Sequence, residues 1–288
     1  MPDFSAFNRN ALQVDLTLKS LRIGCVKYLN ARPLIHGWEG DVDLDHPSAL
    51  CNKLAAGNLD IALVSSFEFL RNPIYRIVDD VSISSDGPVY SVFVAHRGEI
   101  AEIEEIEIDP ASETSANLLC CLTADRGLNP RLVQRGTAAW PVVGESETTG
   151  RAQLLIGDQA IRFRQEYANE FFFWDLGEHW RKLVGLPFVY ALWLVRPEVT
   201  GPEQIANRLR TLRDENLAHL DHVIEDAVPG RDDPRQRKAV NREFLSRYYR
   251  EHLLFRFGEK EKEGLRVFAD LCERRSLLPK RDLAFRVV

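Results

Sequence analysis

The run Asp60-Ile-Ala-Leu-Val-Ser-Ser66 constrains this chain most: nearly unbroken apolar side chains over one strand length mark a strand covered on both faces, as in parallel α/β sheets. Upstream, Arg22 to Tyr28 alternates charged and apolar side chains around Ile23, Cys25 or Val26 and reads as a first buried strand. The polar turn Asn30-Ala31-Arg32-Pro33 follows, and its proline can open a helix because the N–H it lacks would be unpaired there anyway. Val42 to Leu44 is a short strand candidate; Pro47-Ser48 starts a helix with Leu50 and Leu54 on one face, which Gly57 stops. These β-α-β steps predict an α/β lobe. Open α/β sheets hold ligands where strand ends meet helix starts. Asn30 sits at such a point, either as a helix cap or as a ligand contact, and the turn alone leaves both open.

With 288 residues, 45% of them hydrophobic, the chain is long enough for two lobes. Tyr75 to Val81 is strand-like, Ser82-Ile-Ser-Ser-Asp-Gly-Pro88 interrupts it with small polar residues, and Val89 to Ala95 resumes an extended pattern; this predicts the crossover. Ile106 to Ile108 opens a second α/β unit, in which Asp109 to Ser115 precedes a helix carrying Leu118, Leu119, Cys121 and Leu122. Leu132 to Gln134 and Ala152 to Ile156 are further strands, the latter ended by Gly157-Asp158. Phe171 to Trp174 and Phe188 to Val195 bracket a short helix that Gly185 terminates. From Gly201-Pro202 onward the chain is helical, with stripes at Ile205, Leu209 and Leu212, at Val240, Phe244 and Tyr248, and at Leu265, Phe268 and Cys272; Val228 to Pro234 breaks the first from the second. The expected organisation is a flexible extension over 1–20, a first lobe from 21–95 plus 200–288, and a second lobe from 96–199.

A net charge of -6 and a pI near 5.7 give no general attraction for nucleic acid or an anionic membrane. An anionic ligand must therefore be attracted locally. Five cysteines, with no CxxC or Cys/His spacing, read as core residues of a reducing compartment rather than a metal or disulfide framework. No apolar stretch of the first twenty residues resembles a secretion signal, so a cytoplasmic location is expected. His219 and His222, near Asp221 and Glu225, could share a helix face, but a solvated face outweighs a metal site without an HExxH pattern. GxGxxG, GxxxxGK[ST] and GxSxG are all absent.

What remains is a set of small polar residues at strand ends and helix starts. Ser65 and Ser66 follow the buried strand, Ser84, Ser85 and Gly87 lie at the expected crossover, and Ser112, Thr114 and Ser115 lie at a helix start suited to a carboxylate or phosphate. Singly each reads as a cap or turn; together they describe an anion-holding cleft. Trp180, Trp193, Phe188 and Tyr190 could wall it, although each singly reads as core.

The segments Arg22-Ile-Gly-Cys-Val-Lys-Tyr-Leu-Asn-Ala-Arg-Pro-Leu34, Leu54 to Val64, Ser85 to Ser91, Leu154-Leu-Ile-Gly-Asp158 and Asp175 to Phe188 resemble the chorismate dehydratase family of menaquinone biosynthesis by the futalosine route. The resemblance implies a two-lobed α/β protein of the type II periplasmic-binding fold, adapted to catalysis in the cytoplasm. It implies loss of water from chorismate, a small dianion, to give 3-enolpyruvylbenzoate, without metal or organic cofactor and without nucleic-acid or membrane partners. In that chemistry the enolpyruvyl carboxylate of the substrate can itself serve as the base.

On the same resemblance Asn30 is the expected catalytic residue, with Arg32, Ser65, Ser84, Ser85, Gly87, Ser112, Thr114, Ser115 and Asp158 as substrate-binding residues. One departure stands out: where that family carries Ser-Ser/Thr-Arg-Thr-Ser, this chain has Ala111-Ser112-Glu113-Thr114-Ser115. A carboxylate facing the cleft there would repel a dianion, and Lys27 could restore positive charge. The alternative expectation is a non-catalytic solute-binding or sensor protein of the same fold.

Overall fold

The computed structural model describes residues 21–109, 113–134, 150–228 and 240–288. The N-terminal extension, Ser112 and most of the break between 228 and 234 lie outside them. The described chain forms strands β1 (Ile23–Val26), β2 (Val42–Asp45), β3 (Ile61–Ser65), β4 (Arg76–Ser85), β5 (Val92–His96), β6 (Glu105–Ile108), β7 (Arg131–Gln134), β8 (Arg151–Ile156), β9 (Phe172–Asp175) and β10 (Phe188–Val195). Its helices are α1 (Arg32–Ile35), α2 (Pro47–Ala55), α3 (Ser66–Arg71), α4 (Glu113–Asp125), α5 (Gly157–Glu166), α6 (Leu176–Val184), α7 (Pro202–Ala218), α8 (Leu220–Ala227), α9 (Arg242–Arg247) and α10 (Glu259–Arg274).

The strands make two five-stranded sheets, ordered β2-β1-β3-β10-β4 and β7-β6-β8-β5-β9. In each, three strands run parallel, and strands from the other half of the chain add antiparallel to them. The buried run does what its composition dictates: every residue of β3 is buried, with β1 on one side and β10 on the other. Strand β5 is also wholly buried, and its alternating side chains serve two clusters. Val92 and Val94 join the main core, while Phe93 and Ala95 pack with Leu155, Phe163 and Phe171 on the opposite face.

The lobe boundaries differ from the sequence expectation. Val92–His96, assigned almost entirely to the first lobe, pairs with β8 and β9 in the second sheet; Phe188–Val195, assigned to the second, pairs with β3 and β4 in the first. An all-apolar strand carries no mark of which sheet it will join, so periodicity could not place these two. The chain therefore changes lobes near Asp86–Ser91 and again between β9 and β10. The small polar stretch was also misread: β4 continues through Ser82, Ser84 and Ser85, which are buried in it. Downstream, Glu113, Thr114 and Ser115 form the first turn of α4 rather than preceding it.

The C-terminal segment is stitched mainly to the first lobe. Leu254 exchanges backbone hydrogen bonds with Ser84, and Ile77 does so with Arg286 and Val288. Helix α10 packs on β10 and also on α4 of the other lobe, where Cys121 and Cys272 bring their sulfurs to 3.9 Å. All five cysteines are free thiols. Among the described residues no helix is long and apolar enough to cross a membrane.

Candidate functional site

Between the sheets lies a cleft of about 580 Å³, counting its open mouth, within the range of small-molecule sites. It gathers side chains from both lobes: Tyr28 and Asn30 beyond β1, Ser65 at the end of β3, Ser91 at the crossover, Glu113, Thr114 and Ser115 in the first turn of α4, Gly157 opening α5, and Tyr190 on β10.

Asn30 belongs to a short 3-10 turn, Leu29–Ala31, that links β1 to α1. Neither this turn nor α1 is capped by a side chain, so Asn30 is not serving as a cap. Its Oδ1 is buried on the cleft wall with no hydrogen-bond partner. Leaving such an atom unpaired costs about 1–3 kcal/mol, which a ligand's donor would recover. The turn is held from outside: the Tyr249 hydroxyl donates to the Leu29 carbonyl at 2.9 Å, and the Leu29 N–H donates to Asp158 Oδ1 at 2.9 Å.

Across the cleft, the Thr114 hydroxyl bonds the Ser65 hydroxyl and accepts from the Phe67 N–H at 3.2 Å. This joins the end of β3 in one lobe to the start of α4 in the other. Ser66 is turned away, donating to the Val189 carbonyl at 2.7 Å. Next to Thr114, Glu113 accepts from Arg71 at 2.8 Å through Oε1, while its Oε2 is buried and unpartnered. Arg71 also pairs with buried Glu68. Cys51, Glu68 and Glu113 hold metal-type donor atoms within 4.8 Å of one another, and the Arg71 guanidinium already supplies a cation to both carboxylates.

The cleft phenols are donors at neutral pH. Burial, aided by the charges of Asp109 and Asp158, pushes Tyr28 up to about 12. Burial first and the charge of Asp175 second push Tyr190 well above its ordinary value. Gly157 has φ +61°, and a Cβ there would lie 3.0 Å from the Tyr28 ring, so only glycine lets that ring cross the cleft floor. Ser91 accepts from the Tyr248 hydroxyl at 2.7 Å.

Of the residues expected from sequence, Asn30, Ser65, Thr114 and Ser115 meet on the cleft wall. Ser84, Ser85 and Gly87 are not on it. Ser84 is consumed by Ser82 and Leu254, and Ser85 donates to the Gly87 carbonyl at 3.1 Å and lies 3.2 Å from the Tyr190 hydroxyl, which it positions. Arg32 is exposed and off the wall. Asp158 is likewise off it and ties the lobes together through Leu29. Burial, opposed by the Leu29 hydrogen bond and by Arg162 and Arg32, raises its carboxyl above the ordinary range. Of the four candidate wall aromatics only Tyr190 lines the cleft; Trp180, Trp193 and Phe188 are core. Lys27 is exposed and off the wall as well. Sequence reasoning missed Ser91 and Tyr28 as wall residues, although both lie in the segments that carried the family resemblance.

A family model described as menaquinone biosynthesis matches residues 21–274. A chorismate dehydratase from Thermus thermophilus is 28% identical over 269 residues, covering 86% of this chain and 93% of that protein. Among solved structures, a protein from Archaeoglobus fulgidus has a TM-score of 0.69 at 19% identity, covering 90% of this chain and 98% of its own. A Candida albicans protein described as exhibiting the generic periplasmic binding protein fold has a TM-score of 0.61 at 12% identity, covering 91% of this chain and 92% of its own. The two sheets and the cleft between them are that fold. With a model matched from β1 to the last turn of α10, the chain belongs to the menaquinone biosynthesis family.

Proposed function

We propose that the chain is a chorismate dehydratase, a hydro-lyase that eliminates water from chorismate to give 3-enolpyruvylbenzoate. Asn30 carries this reading: it is a buried amide with an unpartnered Oδ1 on the wall of a two-lobed cleft, in a segment characteristic of the family. The similar protein from Thermus thermophilus bears that activity in its name. A cytoplasmic location accompanies the reading.

The elimination aromatises the ring, so its barrier lies in removing the ring proton beside the enolpyruvyl ether and in releasing the neighbouring hydroxyl. Negative charge that develops on proton loss spreads through the diene to the ring carboxylate. The protein's part is to hold two carboxylates and to place donors where charge grows. No lysine, arginine or histidine stands among the described wall residues, so the donors are hydroxyls and the first turn of α4. Thr114 and Ser115 lie at that turn, Ser65 and Ser91 face it from the other elements, and the phenols of Tyr28 and Tyr190 add two donors. Asn30 offers both donor and acceptor to the hydroxyl that leaves.

Incubating the purified chain with chorismate and separating the mixture by chromatography tests the assignment: 3-enolpyruvylbenzoate should accumulate with its aromatic absorbance. Tight binding of chorismate with no product would return the protein to the solute-binding alternative.

A further inference from the structure

The cleft wall carries one ionisable carboxylate and no cationic side chain among its described residues, an unexpected lining for a dianion. That carboxylate, Glu113, is built in. Oε1 is fixed by Arg71 at 2.8 Å; Arg71 is fixed in turn by Glu68, and Glu68 accepts from Asn72 at 2.9 Å. The next residue, Thr114, is pinned by Ser65 and by the Phe67 N–H. The second oxygen, Oε2, is buried with no partner. A carboxylate with one oxygen clamped and the other bare at a ligand cleft is arranged to accept a proton or hydrogen bond from whatever enters.

We propose that Glu113 is the proton carrier of the elimination, taking the ring proton and returning it to the departing hydroxyl. The proposal rests on the dehydratase reading. In chorismate the enolpyruvyl ether and the hydroxyl are trans on adjacent carbons, so the proton on the ether-bearing carbon and the hydroxyl on its neighbour share one ring face. One carboxylate above that face reaches both. The carbon–hydrogen bond breaks and its proton passes to Oε2, while its electron pair becomes the third ring double bond. The neighbouring carbon–oxygen bond breaks with its pair going to oxygen, which takes the proton from Oε2 and leaves as water. Glu113 ends as the carboxylate it began as, and no outside acid, base or oxidant is consumed. Arg71 is a positioning residue: it touches Glu113 and not the cleft.

Three outcomes separate this role from the alternatives, measured on the full chain with chorismate and with chorismate deuterated at the ether-bearing carbon. Glu113→Gln keeps shape and removes the base. Its chorismate affinity by calorimetry should stay within a few-fold of the parent while kcat falls by roughly 10²–10⁴-fold, the usual worth of a positioned acid–base group. Glu113→Asp, which keeps a carboxylate, should recover part of that loss, and the parent should show a primary deuterium effect on kcat/KM. If Glu113→Gln instead turns over within about three-fold of the parent, the substrate's own enolpyruvyl carboxylate is the base and the proposal is wrong. If it binds tighter with kcat unchanged, Glu113 merely repels the dianion and the proposal is equally wrong. A parent chain that makes no product overturns the dehydratase reading itself and this role with it, a result distinct from an active parent with an active Gln variant.

Discussion

Asn30 is the residue on which the site turns, because its amide is the one polar wall group besides Glu113 left without a partner among the described residues. Its side chain makes no helix cap, so removing it should leave the fold intact. Asn30→Ala is expected to melt close to the parent and to lose about 10²-fold or more in kcat, the scale of one preorganised hydrogen-bonding group; turnover near the parent's would remove Asn30 from the mechanism. The sequence marked this residue because it stands between a strand and a proline-opened helix, where ligands gather. It also marked Ser65, Thr114 and Ser115 for the same reason, and they meet Asn30 on the wall. Ser84 and Ser85 looked identical in sequence and failed, because a serine hydroxyl consumed by Leu254 or the Gly87 carbonyl reads the same as one facing a ligand. Ser91 escaped notice because the group that orients it, Tyr248, lies 157 residues away.

Among the elements, α6 does most to fix how the two lobes join. Asp175 is its N-cap, accepting from Glu178 N–H at 3.1 Å, and the same carboxylate accepts from the N–H groups of Val89 at 3.1 Å and Tyr90 at 2.8 Å in the crossover. Tyr90 has φ +69°, an unfavourable backbone for a bulky residue that these bonds help sustain. Gly177 admits the approach, since a Cβ there would lie 2.5 Å from the Gly87 carbonyl. Asp175→Ala removes a cap worth about 1 kcal/mol and strands crossover amides at about 1–3 kcal/mol each. Urea unfolding should show a loss of about 3 kcal/mol or more, and KM should rise as Ser91 and Tyr190 lose their frame. A loss below about 1 kcal/mol would mean the crossover holds itself. The strands of each half were legible because buried apolar runs between breakers are unambiguous at that scale. Their exchange was not: β5 and β10 carry the same all-apolar pattern as strands that stay home, and only the crossover's long-range bonds to Asp175 decide where they go.

At the scale of the whole molecule the described structure is a closed one, tied across the cleft by Ser65 with Thr114 and by the Leu29 N–H with Asp158. The second tie makes closure depend on pH in a definite direction. Burial raises the Asp158 carboxyl above its ordinary 3.8, so in the closed fold its charged form is the costly one despite the Leu29 bond. Below 3.8 the group is protonated folded or unfolded and the raised value contributes its full stability; as pH rises through the elevated value, that contribution is lost. Asp158→Asn keeps an oxygen for Leu29 and carries no charge, so its stability at neutral pH should equal or exceed the parent's, and the decline above 3.8 should flatten. Asp158→Ala keeps neither, leaves the Leu29 N–H unpaired at about 1–3 kcal/mol, and should open the lobes. Small-angle scattering of the ligand-free chain reads this directly: a larger radius of gyration for the Ala variant and an unchanged one for Asn. Equal radii for the two variants would show that Ser65, Thr114 and the packing of α10 across both lobes suffice to hold the cleft shut.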